Sequence, residues 1–273
     1  MTSTLSKGIA LVTGASTGIG SVYADRLARR GYDLVLVARN KDRLARLARR
    51  LASDTGRKVE TVAADLTDPA DLHRVEEILR TNTGISLLVN NAGTAAIGPL
   101  LVSDVDNMDG MIRLNVTALT RLTYAAVPGF VARGGGTIIN IASVVAISPE
   151  ALNGVYGGTK AYVLAFTQSL AHELKDKGIR VQAVLPGATA TELWDNAGKP
   201  VHELPPQIVM SADDMVDAAL AGLDLGETVT LPALANAADW ERFETARLAM
   251  AGKLSSAIPA PRYNRHLATA DAA

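Results

Sequence analysis

Gly8-Ile-Ala-Leu-Val-Thr13 runs directly into Gly14-Ala-Ser-Thr-Gly-Ile-Gly20, and a helical pattern then covers Ile19–Arg30. An apolar, β-branched run followed by glycines and a helix reads as a strand turning sharply into a helix. Such a turn leaves unpaired amides at the helix start, and its glycines let the backbone come close to an anion. The glycine spacing is G-x-x-x-G-x-G, not the common G-x-G-x-x-G. Two readings of Gly14, Ser16, Thr17, Gly18, Ile19 and Gly20 stand at this point. They cradle a dinucleotide pyrophosphate, or they form a tight turn that holds no ligand.

The same rhythm continues outward from this turn. Further strand-like runs are Asp33–Ala38, Val59–Ala63, Ile85–Asn90, Gly136–Ile141 and Ile179–Leu185, with a weaker one at Thr228–Leu231. Helical patterns lie between them at Asp42–Ser53, Asp71–Arg80, Val105–Ala132, Tyr156–Lys177 and Ala212–Leu223. Several strands are nearly continuous in apolar residues, as parallel strands covered on both faces should be. The alternation predicts an α/β fold: a single-domain, Rossmann-like, doubly wound parallel seven-stranded sheet with helices on both faces. Asp68-Pro69 predicts a helix start. No linker divides the chain, so residues 1–273 are expected to form one domain with a core over 5–231. The connection Ala188–Met210, carrying Pro200, Pro205 and Pro206, is long enough to predict a functional loop, a mobile lid over the substrate. Residues 232–273 form an extension with a helical stretch at Ala238–Leu254 and a small-residue tail.

Composition narrows the function classes. Cysteine is absent, which excludes thiol catalysis and Cys-ligated metals. The 27 basic and 28 acidic residues leave a net charge of −1, with no electrostatic footprint for nucleic acid or an anionic membrane. No run of 18 apolar residues and no signal-like segment at Met1–Lys7 are found, so a soluble, cytoplasmic protein is expected. His73, His172, His202 and His266 are scattered and lack a zinc spacing, so no metal is expected. Asp213-Asp214 reads as helix capping, and the basic run Arg43–Arg50 reads as the polar face of an amphipathic helix.

Tyr156 and Lys160 are four apart at the start of a helical pattern and so share a face. A phenol ordinarily titrates near 10. An ammonium about 4 Å away, at an effective dielectric near 20, favours the phenolate by about 4 kcal/mol and brings it toward proton transfer near neutrality. An ordinary surface pair has the same spacing. Ser143 ends the fifth strand at the sheet edge where ligands bind, or else caps the next turn. Asn115 lies inside a helical pattern that it could simply distort.

Thr13–Gly20, Asn90-Asn-Ala-Gly93, Asn115, Ser143, Tyr156-x-x-x-Lys160, Pro186-Gly187 and Thr189 occur in one order. Together they resemble the short-chain dehydrogenase/reductase family over residues 5 to 230. That resemblance implies an NADP-dependent oxidoreductase that moves hydride between nicotinamide and a carbonyl or secondary alcohol. It implies that Ser143 binds the carbonyl oxygen and Tyr156 transfers the proton. Lys160 would hold the nicotinamide ribose and shift the tyrosine, and Asn115 would anchor a relay water. Cofactor contacts are implied for Asn91, Ala92, Gly93, Pro186, Gly187, Thr189, Asp65 and Leu66, although Asp65 also fits a turn or N-cap. The second strand ends Ala38-Arg39-Asn40 without the acidic residue that usually receives the NAD ribose, so Arg39, helped by Lys41 and Arg43, should meet a 2′-phosphate.

Val144, Val145, Ala146, Ile147, Leu193, Trp194 and Leu204 suggest an apolar ketone or aldehyde as substrate, although Trp194 could equally pack on its own loop. An epimerase or dehydratase on this scaffold and a catalytically silent NADP-binding sensor remain alternatives. Ala118, Leu122, Ala161, Ala165 and Ala171, taken as outward residues of two long helices, predict a homotetramer, or else a dimer.

Overall fold

Strand β1 (Ile9–Thr13) is buried on both faces because its side chains alternate between two cores. Ala10 and Val12 join one apolar cluster, and Leu11 joins the other. Strand β2 (Asp33–Ala38) repeats the pattern, with Leu34 and Leu36 on one side and Val35 and Val37 on the other. The structure, a computed structural model, describes residues 7–263. Five more strands follow: β3 (Val59–Ala63), β4 (Ile85–Asn90), β5 (Gly136–Ile141), β6 (Ile179–Val184) and β7 (Val229–Thr230). All pair in parallel, in the order β3-β2-β1-β4-β5-β6-β7. The predicted doubly wound seven-stranded sheet is therefore the observed one.

The first core lies under α1 (Gly18–Arg29), α2 (Lys41–Thr55) and a later helix, Ala212–Asp224, through Leu27, Leu44, Leu51 and Met215. The second lies under α3 (Pro69–Thr81), Leu119–Ala132 and Gly154–Glu173, through Val75, Leu122, Phe130 and Leu170. Local signals set the helix ends. Asp68 accepts from Ala70 N and Asp71 N with Pro69 in the first turn, as predicted, and Ser211 and Asp214 cap each other at the start of Ala212–Asp224. Asp213 instead pairs with Arg26 of α1 at 2.7 Å. The chain leaves β1 toward β2 and β3 and returns through β4 on the other side, so a crevice opens at the carboxyl ends of β1 and β4, where ligands bind in such sheets.

Two expectations are corrected. The helical stretch Val105–Ala132 is not continuous: α4 (Val105–Ile112) and α5 (Leu119–Ala132) are joined by a π-helical segment, Arg113–Ala118, which contains Asn115. A widened turn of this kind re-aims the residues it carries and is frequent at functional sites. Ala118 and Leu122 do not face outward; both are buried against the sheet, and Ala171 packs on the same core. Ala165 is exposed as expected and Ala161 is half-buried, and the exposed side of α5 and α6 (Gly154–Glu173) also shows Tyr124 and Tyr162.

By compactness the chain divides into Met1–Pro232 and Ala233–Ala273. The second unit carries the helix Ala237–Met250, capped by Asn236 through Ala238 N, with Trp240 and Phe243 stacked at 5.3 Å. Among the described residues, no helix is long and apolar enough to cross a membrane. His73, His172 and His202 are exposed, and His266 and the small-residue tail lie outside the described residues.

Candidate active site

Parallel register brings the carboxyl ends of five strands to one edge: Thr13 is level with Val37, Asn90 with Asn140, and Ile141 with Val184. The loops that leave this edge surround a cavity of about 820 Å³. Side-chain clamps hold it open. Thr13 Oγ1 accepts from Asn91 N and Ala92 N, both at 3.0 Å, and donates to Val89 O. Asn91 Nδ2 donates back to Thr13 O at 2.9 Å and Gly14 O at 3.2 Å. The loops after β1 and β4 are thereby fixed to each other.

One end of the cavity suits a dinucleotide. Gly14 has φ +63°, and a Cβ there would meet Asn91 Nδ2 at 2.8 Å and Ala92 Cα at 2.9 Å, so only glycine leaves room. The first turn of α1 has no acidic residue, and Thr17 makes no capping bond, so the helix amides stay available to an anion. Ser16, Thr17, Gly18, Ile19, Ala38, Arg39, Asp65 and Leu66 border this end, with Asn91, Ala92, Gly93, Pro186, Gly187 and Thr189 further along. Gly20 does not; it packs behind, against Gly14 O and the Asn91 amide. Asp65 Oδ1 is taken by Thr67 N and Oγ1, so the residue forms a turn and borders the cavity at once. Arg39 is exposed, with no ion pair among the described residues, whereas Arg43 pairs with Glu192 at 2.7 Å. Lys41 is not in the lining.

At the other end Ser143, Tyr156 and Lys160 converge, each buried. Ser143 does both things its position allowed. Its Oγ accepts from Val145 N, and its hydroxyl also stands by the Tyr156 phenol. Lys160 Nζ donates to Ile141 O at 2.8 Å and lies 5.8 Å from the centre of the Tyr156 ring. Burial pushes Lys160 down to about 8, because an ammonium loses its hydration there. Burial also raises Tyr156 above the ordinary phenol value, opposed by the Ser143 hydroxyl. The expected lowering of the tyrosine by its lysine is therefore not seen here: removal from water raises it, and the group that opposes this is the Ser143 hydroxyl.

Asn115 lies outside the lining but behind it. Its amide bonds Thr94 in both directions, at 2.9 Å each, and donates to Thr159 Oγ1 at 3.1 Å. The π-helical segment aims it at the loop after β4, a geometry no local pattern reveals. Thr94 and Thr159 give no signal in the sequence, since an isolated threonine carries no spacing.

The substrate side is apolar, with Val144, Val145, Leu152, Leu193, Leu204 and Ile208; Ala146 and Ile147 are not part of it. Trp194 borders the cavity while its indole N–H donates to Thr189 O at 3.0 Å, so both readings of it hold. The long loop carries regular structure. A short helix (Leu193–Asn196) and two 3-10 turns build it, and its ends pair through Ala190 N to Met210 O and Met210 N to Ala188 O, each 2.9 Å.

The profile of the family described as short chain dehydrogenase matches residues 8–201. A short-chain dehydrogenase from Sphingobium yanoikuyae, solved in complex with NADPH, is 50% identical, with a TM-score of 0.91 over 94% of this chain and 99% of that one. A bulky-bulky ketone specific alcohol dehydrogenase from Comamonas testosteroni is 43% identical, with a TM-score of 0.88 over 95% and 100% of the two chains. A very-long-chain 3-oxoacyl-CoA reductase from Bos taurus is 36% identical over 188 residues, 67% of this chain and 60% of that protein. The chain thus spans about 60% of that relative's length.

Proposed function

The chain belongs to the short-chain dehydrogenase/reductase family, and from that premise we propose that it is an NADP-dependent reductase of apolar ketones or aldehydes. The observation that carries this reading is the convergence of Ser143, Tyr156 and Lys160 on the same cavity that receives the uncapped start of α1 and Arg39. NADPH bound there would supply the hydride, and the protein supplies orientation and protons. Ser143 Oγ and the Tyr156 hydroxyl hold the carbonyl oxygen, and Tyr156 hands its proton to that oxygen as charge develops. A tyrosine kept protonated by burial is in the right state to donate. Lys160 holds the nicotinamide ribose and re-protonates Tyr156 along a relay continued by a water at Asn115. Arg39 and Arg43 receive the 2′-phosphate.

The apolar far wall, with Leu152, Leu193, Trp194 and Leu204, supports a bulky uncharged substrate. The bulky-bulky ketone specificity of the Comamonas testosteroni relative points the same way. The intact trio weighs against a silent sensor. We further infer a homotetramer, or else a dimer, working in the cytoplasm. The exposed Tyr124, stacked on Phe166 at 6.5 Å with Tyr162 on the same ring at 5.7 Å, supports pairing through α5 and α6. The catalytic unit in this proposal is residues 5–231, with 232–273 as its extension.

A panel of carbonyl compounds with NADPH, followed by cofactor absorbance, tests the reading. Bulky aryl or alkyl ketones should be reduced fastest. Absence of turnover across ketones, aldehydes and 3-oxoacyl thioesters would overturn it.

A further inference from the structure

Glu192 reaches across the cofactor end of the cavity. Its carboxylate accepts from Arg43 Nη1 at 2.7 Å, joining the long loop to the first turn of α2, and both residues border the cavity. One residue earlier, Thr191 rests on the glycine turn: a Cβ on Gly18 would meet Thr191 Cγ2 at 3.0 Å. The start of the loop therefore spans from the amides of α1 to Arg43, beside the strip where Arg39 stands with no ion pair among the described residues.

We propose that the Arg43–Glu192 pair is a latch on this loop that a cofactor 2′-phosphate opens, making Glu192 a specificity-determining residue for the cofactor. The proposal rests on the NADP reading above. A phosphate carrying up to two charges is a stronger guanidinium partner than one carboxylate, and a bidentate arginine cannot serve both fully. Glu192 is also an anion beside the incoming phosphate, so its withdrawal lowers repulsion. A cofactor without the phosphate leaves the latch shut. Because coupling between two sites is reciprocal, an open loop must favour the phosphorylated cofactor by the same factor. Both side chains are partly exposed, at 40% and 55%, so the pair is weak enough for a ligand to break.

The test compares wild type, Glu192→Gln and Arg43→Gln. Calorimetry gives dissociation constants for NADPH and NADH, and hydrogen exchange of residues 188–210 is followed in the cofactor-free protein. Glu192→Gln should bind NADPH about two- to five-fold tighter, the range set by losing an exposed ion pair, with NADH unmoved and the free loop exchanging faster. Arg43→Gln should loosen the loop likewise but weaken NADPH. Adenosine 2′,5′-bisphosphate should speed loop exchange in wild type, and ADP should not. An NADPH-to-NADH ratio in Glu192→Gln equal to that of wild type, or loop exchange unchanged by either substitution, overturns the latch. Equal affinity of wild type for the two cofactors overturns the NADP reading, and it is read without any variant.

Discussion

Lys160 lies over the ring of Tyr156, its Nζ 5.8 Å from the ring centre, while that nitrogen donates a 2.8 Å bond to Ile141 O. The ammonium is therefore anchored to the end of β5 and not to the phenol oxygen. Its place beside the tyrosine is set by the sheet, so the two side chains are held independently.

Replacing Tyr156 by Phe keeps the ring that packs with Met111 and Val145 and removes only the proton donor. Turnover should fall by about 10²–10⁴ with NADPH affinity retained. Near-wild-type reduction by this variant would refute the assigned role.

Lys160 has a pKa lowered by burial to about 8, so the folded state resists its charge. Between pH 8 and the ordinary lysine value of 10.5 the unfolded chain binds more protons, and stability rises with pH across that window. Below pH 8 the full cost is present, on the order of 3 kcal/mol. Lys160→Met should thus melt higher than wild type at pH 7, with the difference narrowing as pH rises through 8 to 10. It should also lose turnover and bind NADPH less well. A melting difference independent of pH would contradict the buried charge.

Glu76, on α3, is 1% exposed and ion-paired to Arg80 at 2.7 Å and to Arg121 of α5. Burial pushes its carboxyl up, but the hydrogen bonds of Arg121 and Arg80 outweigh this and hold it below the usual range. A depressed carboxylate contributes stability above its unfolded pKa, and that contribution is lost as pH falls through the folded value. Glu76→Gln should cost about 2 kcal/mol at pH 7 and less in acid. Urea denaturation at pH 7 and pH 4 measures both; an equal loss at the two values would argue against the ion pair.

Ala38 and Arg39 both border the cavity, so both substitutions fall on the proposed cofactor site. Ala38→Asp combined with Arg39→Ala should reverse the cofactor order, each lost charged bond to phosphate being worth about 1.5–3 kcal/mol, or roughly 10- to 150-fold. Calorimetric titration with both cofactors decides this, and an unchanged order defeats it.

Light scattering at micromolar concentration should report a tetramer, or a dimer, and Tyr124→Asp with Tyr162→Asp should lower the mass. A monomeric wild type would remove α5 and α6 as an interface.

The doubly wound sheet was legible in the sequence because its signals are local. Buried parallel strands must be apolar on both faces, and Asp68-Pro69 marks a helix start through contacts within four residues. The glycine turn, Ser143, Tyr156 and Lys160 were picked out because their ordered set resembles a known family; spacing alone left a ligand-free turn, a turn cap and a surface pair open. Tertiary structure alone decided the rest. That Ala118 and Leu122 face the sheet, that Asn115 sits in a π-helical segment bound to Thr94, and that Thr13 clamps Asn91 all depend on pairs between 21 and 78 residues apart or on how a helix meets the sheet. The Tyr156 and Lys160 titrations turned on burial, which a spacing of four does not express, since desolvation is set by everything packed around a group. Arg43 meets Glu192 across 149 positions, and only the folded crevice puts that carboxylate beside the arginine.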